Sequence, residues 1–253
     1  MTTFIGIDLA WQTEKNHTGA AAFRGDADCV EFLALSSGIG STAAILDFLD
    51  EHESAETVIA VDAPLIIRNE TGMRPCEKLV SSRFGRFHAG AHASSRSLYP
   101  NATSVRLCDQ IMARGYRHPS PPGRQWEPEG RTVFEVYPHP AHVVLFERSR
   151  IIKYKKGLVR RRRSGLSEFR REIQDRVFGE NSPFERNAVV DEFLAVDLES
   201  LRGRGLKEYE DVLDSILCAY LAFHLWRWGW GQNEMIGDLD SGYIVVPTVR
   251  LPP

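Results

Sequence analysis

Two aspartates stand where a carboxylate is out of place. Asp8 lies inside the apolar run Phe4-Ile5-Gly6-Ile7-Asp8-Leu9-Ala10, and Asp62 closes the β-branched run Thr57-Val58-Ile59-Ala60-Val61-Asp62. A carboxylate buried without a partner costs several kcal/mol or forces the side chain to protonate, so each demands a reason. For Asp8 the plain reason is capping of the turn after its strand. The chemical one is a site beside it, with Gly6, two residues earlier on the same face, leaving room. Glu135 adds a third acid in Thr132–Tyr137, with an ion pair to an arginine of the middle region as its structural alternative.

A second pair lies on one helix. Asp211 and Asp214 are three residues apart in Tyr209-Glu210-Asp211-Val212-Leu213-Asp214-Ser215-Ile216-Leu217-Cys218, hence on one face. Continuing that face meets Ser215, Cys218, Leu221, Ala222 and Leu225, an apolar stripe that packs on a core. Early-turn acids gain from the helix dipole, yet Glu208 and Glu210 serve that end without burial.

Clustered carboxylates suit a hard cation, Mg²⁺ or Mn²⁺, which keeps several waters and takes its remaining ligands from acids and a substrate phosphate. The histidine pairs His88/His92 and His139/His142 have helical spacing but no third ligand nearby in sequence, which argues against zinc. Phosphate-loop, nucleophile-elbow and dinucleotide signatures are all missing.

The elements that must position these groups can be read from the pattern. Phe4–Ala10, Thr18–Phe23 and Cys29–Leu35 form an antiparallel meander through the turn at residues 24–28. A helix at Thr42–Glu51, capped by Ser41, leads to the strand Thr57–Asp62. Helices at Asn101–Arg114, Pro140–Phe146, Ser167–Phe178 and Asn187–Val196, the strand Thr132–Tyr137, a long helix at Leu206–Trp228 and a last short strand at Tyr243–Val246 complete the list. This describes one α/β domain over residues 1–253, with an elaborated basic middle at about 68–180.

Charge is uneven although the chain totals only -3: Met1–Glu70 carries -9, Thr71–Arg131 +6, Glu147–Arg176 +8 and Val177–Pro253 -7. Acidic ends around a basic middle place a carboxylate cluster beside a basic rim, the arrangement an anionic substrate and a metal require. Lys153, Lys155, Lys156 and Arg160, Arg161, Arg162 and Arg163 form the densest basic run; they read as backbone-phosphate contacts on an irregular loop, or as a merely solvated charge run. Four cysteines without a close pair read as reduced thiols, and no apolar run spans a membrane, so the expectation is a cytoplasmic protein. The oligomeric state is not legible.

The segments IGIDLAW, VIAVDAPL, RPCE, FEVYPHP, KYKKG, YEDVLDSILCAYLA and GYIVVP, in that order, resemble the domain-of-unknown-function family 429, described as predicted nucleases of the ribonuclease H-like fold. The resemblance spans nearly the whole chain. It implies a mixed five-stranded sheet in the order 3-2-1-4-5 with helices on both faces, and parallel strands 1, 4 and 5 bringing Asp8, Asp62 and Glu135 together. Within that fold the pattern is most similar to Holliday-junction resolvases, which implies Asp8, Asp62, Asp211 and Asp214 as the metal-binding and catalytic acids. Asp in place of Glu at 62, and the additional Glu135, depart from the resolvase pattern.

The expected activity is divalent-metal-dependent hydrolysis of nucleic-acid phosphodiesters, DNA or RNA, with Asp8, Asp62, Asp211, Asp214 and Glu135 as the acids. Two alternatives stand beside it: an Mg²⁺-dependent phosphatase or phosphotransferase on a nucleotide or small phosphorylated compound, and a binding module for nucleic acid or protein without turnover.

Overall fold

Strands β1 (Thr2–Asp8), β2 (Thr18–Gly25) and β3 (Val30–Ile39) form the antiparallel meander, and β4 (Thr57–Asp62) and β5 (Arg131–Glu135) extend it in parallel on the other edge of β1. The computed structural model describes residues 1–10, 17–123 and 130–248. The sheet order is 3-2-1-4-5, the mixed arrangement of ribonuclease H-like proteins. β1 and β4 are in register from Thr3↔Thr57 to Asp8↔Asp62, so the two aspartates end adjacent strands side by side.

The pleat of β1 separates two cores. Ile5 and Ile7 point to the face covered by α1 (Thr42–His52) and α3 (Thr103–Met112), whereas Phe4, Gly6 and Asp8 point to the face covered by α7 (Gly203–Trp228). α1 starts where expected, with the Ser41 hydroxyl accepting from the Ala44 N–H at 3.1 Å. α7 begins three residues before the expected Leu206 and is buried on nearly every side between Leu206 and Leu225.

Gly6 works differently from the sequence expectation. A Cβ there would lie 2.0 Å from the Ser215 carbonyl oxygen and 2.2 Å from the Ala219 nitrogen, so the space is filled by the α7 backbone and is no vacant room. Gly19, paired with Asp8 from β2, has the same use: its Cβ would sit 2.4 Å from the Asp211 carbonyl oxygen. These two glycines seat α7 directly on the sheet.

Three further elements differ from the expectation. α2 (Pro75–Phe84) is a helix that the Gly- and Arg-rich text hid; Cys76, Val80 and Phe84, four apart, pack on the hairpin of β6 (Asn233–Asp238) and β7 (Gly242–Pro247), of which the sequence predicts only the second strand. α4 (Pro138–Val144) starts at Pro138, and α6 (Ala188–Ala195) is capped by Asn187. The run Arg160–Arg163 lies within α5 (Val159–Glu172), eight residues ahead of the expected start, and not on an irregular loop. Among the described residues no helix is long and apolar enough to cross a membrane.

Candidate active site

β1 and β4 end with Asp8 and Asp62 about 4.8 Å apart across the ladder, and α7 delivers Asp211 and Asp214 onto the same face. Asp214 is wholly buried and Asp211 is 2% exposed. The four groups feel one another. Burial, then the Asp8 charge, push Asp211 far above the ordinary carboxylate range, with Lys207 opposing. Asp214 and Asp62 are likewise raised by burial against the lowering field of Lys155, with Asp8 adding to the rise in both.

Glu135 lines the same cavity as Asp8 and Asp62 but is held by other partners. It pairs with Val61, one residue short of Asp62. Both its oxygens receive the Arg74 guanidinium, at 2.6 and 2.9 Å, and one also accepts the Leu65 N–H. Arg74 in turn meets Glu77 at 2.8 Å, and Glu77 takes the Arg74 N–H, the Ser94 N–H and the Ser94 hydroxyl. This buried Glu–Arg–Glu unit is closed by its own hydrogen bonds and braces α2 against β5. The ion pair considered as an alternative for Glu135 is the one present.

Lys155 leaves the basic run and enters the acid cluster. Its Nζ lies 3.1 Å from Asp214 Oδ2 and 3.7 Å from Asp62 Oδ2. Tyr154, wholly buried, stacks on Phe169 at 4.8 Å and donates its hydroxyl to Asp214 Oδ1 at 2.6 Å. Gly165 on α5 allows this segment to approach, since a Cβ there would meet the Lys153 carbonyl oxygen at 2.2 Å. On the far side of α7, Lys207 pairs with Asp211 and, at 3.0 Å, with Glu210, which also receives Arg162 at 3.1 Å. Arg163 is paired with Glu199 at 2.8 Å.

The basic run is therefore split by the fold. Lys155, Arg162 and Arg163 are engaged in ion pairs, whereas Lys153, Lys156, Arg160 and Arg161 are exposed and make no ion pair among the described residues. Sequence reasoning missed Tyr154, Lys207, Glu210 and Gly19 as parts of the site. The single aromatic inside KYKK, following Ile151-Ile152, is the signal that this stretch is partly buried.

A cavity of about 540 Å³ opens beside Asp8 and Asp62. Lys155, Tyr137 and His139 line it, with apolar wall from Val136, Ile151 and Ile152, and the exposed Lys153, Lys156, His88 and His92 stand around it. Tyr137 and His139 are hydrogen-bonded at 2.8 Å, and burial holds the His139 imidazole neutral, down to about 3.

A family model described as "Protein of unknown function (DUF429)" matches residues 6–234. The chain belongs to this family. The DUF429 match runs from the first-strand glycine, Gly6, through α7 and into β6, so it takes in all four aspartates, Tyr154 and Lys155. No curated protein matches the chain.

The donors fit a hard cation. Asp211 Oδ2 is buried and receives no donor, the condition in which a carboxylate oxygen is left for a metal or a proton, whereas Asp214 Oδ2 faces the Lys155 ammonium. No three of these acids bring oxygens within 4.8 Å of one another among the described residues. The one trio that does meet this spacing is Cys29, Glu31 and Glu185, a group that could coordinate a divalent metal. It lies by the β2–β3 turn, at the opposite end of the sheet from Asp8. Its thiol is pushed upward by desolvation and by Glu185.

Proposed function

We propose that this protein is a divalent-metal-dependent phosphoester hydrolase of the ribonuclease H-like class, acting on nucleic-acid phosphodiesters at Asp8, Asp62, Asp211 and Asp214. The observation that carries the reading is the convergence of four carboxylates at the ends of parallel β1 and β4 and on α7, with the buried Asp211 Oδ2 receiving no donor and the Asp8 carboxyl within hydrogen-bonding reach of Asp211. A structural role leaves no reason for such an oxygen, because a buried polar atom without a donor costs about 1–3 kcal/mol. Mg²⁺ or Mn²⁺, when bound, lowers the pKa of a water ligand and stabilises charge on the leaving oxygen.

The chain's own residues supply the rest. Tyr154, held protonated by burial and the Asp214 charge, fixes Asp214 through its hydroxyl. The Lys155 ammonium keeps its proton because desolvation is outweighed by Asp214, Asp8 and Asp62, and it puts a fixed positive charge in the cavity wall for an approaching phosphate. Lys153, Lys156, Arg160 and Arg161 are the exposed cations available to backbone phosphates. A duplex, a junction, a single strand and an RNA hybrid all present the same phosphodiester to this machinery.

A second reading is favoured by one observation, the cavity. A space of about 540 Å³ with apolar walls and a cationic surround accommodates one nucleotide or a small phosphorylated compound, which makes a phosphatase the competing assignment. An Mn²⁺-dependent turnover assay over branched DNA, single-stranded DNA, RNA hybrids and nucleoside triphosphates, repeated on Asp8→Asn, decides between them. Release of oligonucleotides supports the nuclease; release of inorganic phosphate alone supports the phosphatase; equal rates in wild type and Asp8→Asn refute both.

A further inference from the structure

Acids outnumber cations in the cluster. Asp8, Asp62, Glu210, Asp211 and Asp214 face Lys155, Arg162 and Lys207, and the adjoining Glu77–Arg74–Glu135 unit, in the wall of the same cavity, adds one further acid in excess. The carboxylate oxygens of that unit are engaged by Leu65, Arg74 and Ser94, so the aspartates are the acids that remain to receive a cation.

The placement of Lys155 divides the aspartates into two pairs. Lys155 Nζ stands between Asp214 Oδ2 and Asp62 Oδ2, where a cation bridging β4 to α7 would sit. It is held there by a built support: the buried Tyr154 ring on Phe169, the Tyr154 hydroxyl on Asp214, the Arg162 Nε donating to the Tyr154 carbonyl at 3.2 Å, and the Gly165 contact. On the other side, Asp8 makes no ion pair among the described residues, and its carboxyl lies within hydrogen-bonding reach of Asp211, whose Oδ2 receives no donor after Lys207 has taken Oδ1.

We infer that the site takes a single divalent cation, ligated directly by Asp8 and Asp211, and that the Lys155 ammonium permanently occupies the place of a second ion between Asp62 and Asp214. The inference rests on the metal-dependent reading above and deepens it. It assigns Lys155 as a substitute cation in the metal-binding group and excludes a two-ion site in the unmodified chain.

The experiment counts Mn²⁺ by electron paramagnetic resonance and equilibrium dialysis on the full chain, wild type and Lys155→Met, without substrate. The expected result is about one Mn²⁺ per wild-type chain. Lys155→Met should gain a second ion and a spin-coupled spectrum, since two ions in such sites stand about 3.5–4 Å apart. Two ions on the wild-type chain would overturn the inference and leave the hydrolase reading standing, whereas none would remove both. A folded Lys155→Met chain that still binds one ion would also overturn it. Should Lys155→Met fail to fold, Lys155→Gln, which keeps a polar head, takes its place under the same outcomes, and the wild-type count remains decisive.

Discussion

Replacing Gly6 by alanine tests how the site is held together. The added methyl would stand 2.0 Å from the Ser215 carbonyl oxygen, 2.2 Å from the Ala219 nitrogen and 2.8 Å from the Cys218 carbonyl carbon. All three are backbone atoms of a buried helix, so no rotamer change relieves the overlap. Restoring ordinary contact at about 3.4 Å requires α7 to move away from β1 by roughly 1 Å or more, a shift that also disturbs the Phe4–Phe223 edge contact at 5.3 Å. Overpacking of this kind costs about 1–3 kcal/mol, with the upper end expected here because the obstacle is rigid. The same movement carries Asp211 and Asp214 away from Asp8, and a displacement of about 1 Å in a catalytic constellation costs on the order of 10²-fold in rate. Urea unfolding gives the stability change, and Mn²⁺-dependent turnover at saturating metal gives the rate. Gly40→Ala is the control, since a Cβ there meets nothing within 4 Å. A Gly6→Ala chain within about 0.5 kcal/mol of wild type and fully active would refute the seating of α7 on β1.

Three further outcomes are expected. Asp8→Asn should preserve the fold and lower turnover at saturating metal by at least about 10²-fold, roughly 2.7 kcal/mol of transition-state stabilisation; full recovery at high Mn²⁺ would confine Asp8 to ion affinity. Without metal, stability should fall as pH rises: Asp214, Asp62 and Asp211 are raised to about 7, 8 and 9, so between the unfolded value near 4 and these values the folded chain holds more protons than the unfolded one. Each retained proton contributes a decrease of about 1.4 kcal/mol per pH unit across that window. Melting curves from pH 7 to 9 in chelator, above the range in which His139 and His142, kept neutral by burial, gain protons on unfolding and oppose the trend, should show the decline, and Mg²⁺ should flatten it by displacing the protons; a pH-independent melting temperature over that range would contradict the clustered burial of Asp62 and Asp211. Arg160→Ala with Arg161→Ala should reduce the log-affinity versus log-salt slope for nucleic acid by up to about 0.9 for each phosphate no longer neutralised, whereas Arg163→Ala should leave the slope unchanged because its guanidinium is held by Glu199 and the Leu201 carbonyl.

Much of the frame is legible without coordinates. The β-branched run ending at Asp62, the meander before it and the apolar stripe after Asp211 are local patterns whose period follows from strand and helix geometry, so the elements that carry the four aspartates could be anticipated, and the resemblance to the family implied the strand order. Elements whose stability comes from distant partners were hidden: α2 needs the β6–β7 hairpin to bury Cys76, Val80 and Phe84, and no periodicity within ten residues announces that.

Three assignments depended on the tertiary structure alone. Whether Glu135 is free to serve with the aspartates is decided by Arg74, whose guanidinium takes both its oxygens in the wall of the cavity they share. Whether Gly6 leaves a space or receives a helix depends on which backbone arrives there from more than 200 residues further along the chain. Whether Lys155 faces solvent phosphate or Asp214 is decided by the burial of Tyr154 beside it, because anchoring one side chain in the core leaves its neighbour little choice of direction. Residue type and spacing determine which groups carry charge and which elements form; the faces those charges share are set only when strands, hairpin and helix close on one another, because like charges are brought together by packing and not by any attraction of their own.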